Sequence, residues 1–84
     1  MADQVHFALV TGGFTGQYQM RVTHAEHGEY RAKLISVGIG TIMEPAGRTP
    51  AEAVRNLVSE LEAAGGYDRK IGKEIRKYTQ WAFR

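Results

Sequence analysis

Between Gln17 and Val37 the chain reads QYQMRVTHAEHGEYRAKLISV, two alternating runs joined by a short polar turn. In its first part Tyr18, Met20 and Val22 alternate with Gln19, Arg21 and Thr23. Successive side chains of a strand point to opposite faces, so the period of two predicts a half-buried strand over Gln17–His24. Ala25-Glu26-His27-Gly28 then supplies a turn, with Gly28 able to take a positive φ. Alternation resumes over Glu29–Val37, with Tyr30, Ala32 and Leu34 on one face and Arg31 and Lys33 on the other. Together the two runs predict an antiparallel hairpin. Its shared apolar face meets a core, and a cationic stripe of Arg21, Arg31 and Lys33 lies outside.

Upstream, Val5–Thr11 (VHFALVT) is β-branched and aromatic enough for a strand, and Gly12, Gly13 and Gly16 break it. Downstream, Gly38 and Gly40 bracket a bulge or tight turn into a short fourth strand over Ile39–Met43, and Glu44–Arg48 reads as a loop. The next element has the clearest signature. Thr49-Pro50-Ala51-Glu52 puts Thr at the N-cap, Pro at the first helical position and Glu two residues on. The Thr hydroxyl can accept an orphan helix N–H while Glu52 reaches back to the Thr49 N–H. Val54, Leu57, Val58 and Leu61 follow on one face, and Gly65-Gly66 closes a helix over residues 50–64. Asp68 can cap a second helix running to about Phe83, with Ile71, Ile75, Tyr78 and Ala82 as its apolar stripe. Gly72 inside it costs about 1 kcal/mol relative to Ala and predicts a loose first turn. The order β-β-β-β-α-α makes an α+β protein: an antiparallel sheet of three to four strands followed by two helices. The expected organisation is one domain over residues 1–84, with its sheet at about 5–43 and a basic C-terminal helix at about 69–83.

A length of 84 residues excludes two-domain enzymes, doubly wound nucleotide-binding folds and barrels. With 43% hydrophobic residues the chain can build one core. The absence of cysteine leaves no disulfide framework and no thiolate zinc site. Met1-Ala2-Asp3-Gln4 carries no basic leader, and no apolar run approaches 18 residues, so a cytoplasmic protein without membrane association is expected. The formal charge of +2 conceals an asymmetry. Residues 1–68 hold five bases against eight acids, whereas residues 69–84 hold six bases against one acid, Glu74.

Catalytic chemistry finds little support. Phe7–Gly16 looks like the glycine loop that opens a short-chain dehydrogenase, but Tyr18 stands where that pattern has its last glycine, and the following segment alternates as a strand. His24 and His27, with Glu26 and Glu29 nearby and His6 on another strand, fall on a hairpin tip that does not converge their rings, so no metal is expected. The two serines, Ser36 and Ser59, sit in no nucleophile motif, and no motif places a carboxylate pair. The expectation is a protein without catalytic residues, cofactor or enzymatic activity.

The segment that stands out is Arg69–Arg84. As a core helix, it packs its apolar stripe on the sheet and leaves its bases solvated, a basic last turn suiting the helix dipole. As a partner-binding face, its bases meet carboxylates or phosphates while an aromatic anchors the contact. The two readings are compatible. The candidate contact residues are Arg69, Lys70, Lys73, Arg76, Lys77 and Trp81, joined by Arg31 and Lys33 on the open sheet face. They suit a protein or ribonucleoprotein partner with an acidic surface, with direct nucleic-acid binding as the alternative. A structural protein of a phage particle, or a homodimer closing an edge strand at Val5–Thr11 or Ile39–Met43, also stays open.

Gly28-Glu29-Tyr30-Arg31-Ala32, followed by Gly47-Arg48-Thr49-Pro50-Ala51-Glu52-Ala53-Val54-Arg55-Asn56-Leu57, resembles the small domain of HicB-type antitoxins. That family shows "Gly-x-Tyr-x-Ala" on a strand, a hairpin, then "Gly-x-Thr-x-x-Glu-Ala-x-x-Asn" opening a helix. The resemblance spans about Gln19–Glu62, half of the chain. It implies a partly formed RNase H-like fold without nuclease activity that occludes a small RNA-cleaving toxin. The family's "Pro-x-Leu-Pro-Gly-Cys" strand end is replaced here by Val37-Gly38-Ile39-Gly40-Thr41-Ile42, and no ribbon-helix-helix or helix-turn-helix follows. The expected function is that of a small non-enzymatic inhibitor or regulator, antitoxin-like or a phage-type inhibitor of a host or defence complex.

Overall fold

The computed structural model describes residues 9–12, 17–25, 27–36 and 38–84. Most of the strand expected at Val5–Thr11, the glycines Gly13 and Gly16, and His6 and Glu26 of the histidine group lie outside the described residues. Strands β1 (Leu9–Gly12), β2 (Gln17–His24), β3 (Tyr30–Ser36) and β4 (Gly40–Met43) pair in that order, each antiparallel to the next. The β2–β3 hairpin sets Met20 opposite Leu34, Val22 opposite Ala32 and Arg21 opposite Lys33. Its tip is closed by the Ala25 N–H donating to the Glu29 carbonyl at 2.8 Å. Because Gln17–His24 is a strand, the helix a dinucleotide-binding loop would require is not there.

Helix α1 (Pro50–Ala64) matches its expected limits. The Thr49 hydroxyl accepts the Glu52 N–H at 3.0 Å, but the Glu52 carboxylate reaches the Arg48 N–H at 3.2 Å rather than that of Thr49. The reciprocal bond is displaced by one residue. The segment expected as a loop contains a two-residue strand, β5 (Ala46–Gly47), which pairs with β3 at Tyr30 and Arg31. Asn56 of α1 donates to the Ala46 carbonyl at 2.8 Å, fixing this strand to the helix. Gly47 makes the approach possible, since a Cβ there would lie 2.4 Å from the Ala53 nitrogen.

Helix α2 (Gly66–Tyr78) begins two residues before Asp68 and has no side-chain cap, so Asp68 stands in the first turn instead. Gly65 and Gly66 both take positive φ, 77° and 56°, which turns the chain from α1 straight into α2. Gly72 is not a loose point. It is buried where the helices touch, and a Cβ there would fall 3.0 Å from that of Leu61.

The expected stripe needs one correction. Tyr78 is 58% exposed, and Thr79 is buried in its place. The α-helix stops at Tyr78, where the Thr79 N–H is shared between the Ile75 and Arg76 carbonyls, and a 3₁₀ segment covers Gln80–Phe83. Thr79 lies four residues past Ile75, and its hydroxyl donates to the Ile75 carbonyl at 2.6 Å, so its burial leaves no polar group unsatisfied.

Both helices pack on the sheet face that carries Met20, Val22, Ala32 and Leu34. The core joins these to Ala53, Val54, Leu57, Val58 and Leu61 of α1, Ile71 and Ile75 of α2, and Ala82, each at most 4% exposed. Fully burying a Val, Leu, Ile or Met side chain contributes about 1.5–3 kcal/mol. The result is a two-layer α+β fold with its helices on one side of the sheet. Among the described residues, no helix is long and apolar enough to cross a membrane.

Candidate macromolecular interface

The bases of α2 fall into two sets because the helix has two neighbours, α1 and solvent. With 3.6 residues per turn, the buried Ile71, Gly72 and Ile75 place Lys70, Lys73 and Lys77 on the opposite side. All three are exposed. With Glu74 they line an open concavity of about 440 Å³. Tyr78 lies at the C-terminal end of this face, four residues past Glu74.

Arg69 and Arg76 flank the seam with α1. Arg76 donates to both carboxylate oxygens of Glu62, at 2.7 and 3.3 Å, the two-pronged geometry that favours arginine over lysine. The hydrogen bond from Arg76 holds the Glu62 carboxyl below its ordinary pKa. Partial burial opposes this, and attraction to Arg76, Lys73 and Arg69 adds to it. The Arg76 guanidinium also lies 4.3 Å from the centre of the Phe83 ring, a cation–π contact. Arg55 of α1 donates to the Ala82 carbonyl at 2.9 Å and secures the same terminal segment from the other side. Arg76 therefore fastens the C-terminal turn to α1, and a partner would have to compete with Glu62 for it. Trp81 lies in the 3₁₀ segment beyond the Thr79 break, half-buried against the core, and Phe83 is partly buried there too.

The remaining candidates, Arg31 and Lys33, occupy the sheet face without helices. They and the α2 lysines lie on opposite sides of the molecule and do not form one surface. Each of the two has a carboxylate nearby: Arg31 bonds Glu29 at 2.8 Å, and Lys33 lies 3.8 Å from Glu44. The hydrogen bond and charge of Glu29, with a smaller effect of Glu44, hold the Arg31 pKa above its ordinary value against the opposing effect of burial.

At the hairpin tip the His24 ring stacks on that of Tyr30, its cross-strand neighbour, at 4.4 Å and 9° from parallel. Among the described residues, no three His, Asp or Glu side chains converge as metal ligands.

Sequence reasoning missed Glu74 and Tyr78 as parts of the α2 face. The available signal was the spacing of Thr79, which continues the Ile71 and Ile75 row at i+4 and so frees Tyr78. Comparison with protein-family models, curated proteins and solved structures found no match.

Proposed function

We propose that this protein acts without catalysis, as a small binding module that inhibits or regulates a macromolecular partner through the outward face of α2. The observation that supports this is the exposure of Lys70, Lys73 and Lys77 within about two turns, around one concavity, while Arg76 is held in the fold by Glu62 and Phe83. Clustered cations steer encounter with an acidic surface. Exposed Tyr78 supplies aromatic area of the kind that anchors interfaces.

Glu74 favours a protein surface of mixed charge over a continuous phosphate backbone, which it would repel from the middle of the lysines. The partner is thus an acidic protein, alone or within a ribonucleoprotein. An antitoxin-like role, occluding such a surface, is the form of this proposal that the resemblance of Gly28–Ala32 and Gly47–Leu57 implies, although α2 itself lies outside that resemblance.

The test is capture from nuclease-treated lysate by the immobilised chain and by its Lys73→Glu/Lys77→Glu variant, with folding of both verified by circular dichroism. The expected result is a protein held by the wild type and lost by the variant. Equal capture overturns the proposal. Dependence on intact nucleic acid, with affinity falling by orders of magnitude between about 50 and 200 mM salt, replaces it with direct nucleic-acid binding.

A further inference from the structure

The sheet edge at β4 carries apolar surface that the cationic face does not explain. β4 ends the strand order, and among the described residues no strand pairs its outer side. Ile39, in the turn leading into it, is 84% exposed, and Ile42 is 42% exposed. Thr41 is exposed as well, and Gly38–Met43 contains no charged residue. Edge strands that stay unpaired are commonly guarded by lysine, by an inward charge or by proline. Here Glu44 is drawn to Lys33 of its own sheet, and Pro45 follows only after β4 has ended. The β3–β4 register shift between Leu34 and Ile35 twists the edge but leaves Ile42 on it.

We propose that β4 pairs antiparallel with β4 of a second copy about a two-fold axis, extending the sheet across two protomers. The argument for a second copy is complementarity. A two-fold sets a strand against its own sequence reversed, so a charge on it would be brought against an uncharged residue of the other copy or, at the axis, against itself. Gly40-Thr41-Ile42-Met43 carries none, and Ile39 and Ile42 of each copy can cover those of the other. The axis of such a pair stands perpendicular to the sheet, so both helix layers lie on one side and both α2 lysine faces are presented from that side. Four residues of strand per chain give less than the ~1,200 Å² total of a standard interface, so the association is weak and reversible.

Sedimentation equilibrium of the full chain between about 10 µM and 1 mM tests this. The expected result is a mass rising from monomer toward dimer, with amides of Thr41–Met43 gaining hydrogen-exchange protection as concentration increases. Ile39→Lys/Ile42→Lys, two changes at exposed positions that leave the core untouched, is expected to stay monomeric with an unchanged circular dichroism spectrum. Lys73→Glu/Lys77→Glu is expected to associate like the wild type, which separates this inference from the α2 reading. A wild type monomeric at the highest concentration overturns the proposal. So does association unaffected by the two isoleucine changes, or protection rising elsewhere than β4.

Discussion

Helices α1 and α2 lie side by side on one sheet face, yet their polar residues are put to opposite uses. In α1 four polar side chains turn back into the molecule: Glu52 to the Arg48 N–H, Arg55 to Ala82, Asn56 to Ala46 and Glu62 to Arg76. Five of its residues are buried, and its N-terminus is capped. In α2 only three are buried, no side chain caps the start, and Lys70, Lys73 and Lys77 are exposed. Packing and caps hold α1 in place. α2 is held by its apolar stripe, by Arg76 and by Tyr67, whose ring meets that of Tyr18 at 6.1 Å, while its lysine face is exposed. Charge content alone does not make a binding face, since Arg76 belongs to α2 and serves the fold.

Changes on the two helices should separate these uses, and the largest effect belongs to α1. Leu57→Ala, at a fully buried position, is expected to cost about 2–5 kcal/mol in urea unfolding. A cost under 1 kcal/mol would mean that α1 is not the anchor. Gly72→Ala probes the seam between the helices. Alanine's helix propensity would favour it by about 1 kcal/mol. The new Cβ, however, falls 3.0 Å from that of Leu61, which sits on buried backbone. A net loss of up to about 2 kcal/mol is expected, and net stabilisation would show a seam looser than described.

Glu62→Gln removes the ion pair that joins the helices, in which Glu62 is 27% exposed, and should cost a few tenths to about 1 kcal/mol at neutral pH. Because the folded state lowers the Glu62 pKa, its contribution is present above the ordinary carboxylate range and is lost as pH falls through the lowered value. Wild type and variant should therefore converge in stability in acid. Lys73→Glu/Lys77→Glu should leave the fold intact at a cost of no more than about 1 kcal/mol, because neither lysine supports the core, although Lys73 attracts Glu62 and Lys77 stands in the last turn, where the helix dipole favours a cation.

Much of this arrangement was legible in the sequence because local rules and packing agree there. Met20, Val22, Ala32 and Leu34 alternate and are buried, and Thr49-Pro50-Ala51-Glu52 starts α1 where capping chemistry places it. The misread positions are those where a distant neighbour decides. Gly72 looks like a weak point until Leu61 packs against it, and Ala46-Gly47 looks like a loop until β3 and Asn56 claim it. Tyr78 is the more apolar candidate for the stripe, but Thr79 buries without penalty once its hydroxyl meets the Ile75 carbonyl. For the candidate surface, sequence identified the cationic segment but not its division. It could not show that Arg76 bonds Glu62, or that Arg31 and Lys33 face away from α2.

The most direct test of the division compares partner retention by two charge reversals matched in size. Lys73→Glu/Lys77→Glu alters the outward face of α2, and Arg21→Glu/Lys33→Glu alters the open sheet face. Each is measured against the wild type on nuclease-treated lysate. Loss of the partner by the helix variant alone is the predicted result. Loss by the sheet variant, with the helix variant still binding, would contradict it.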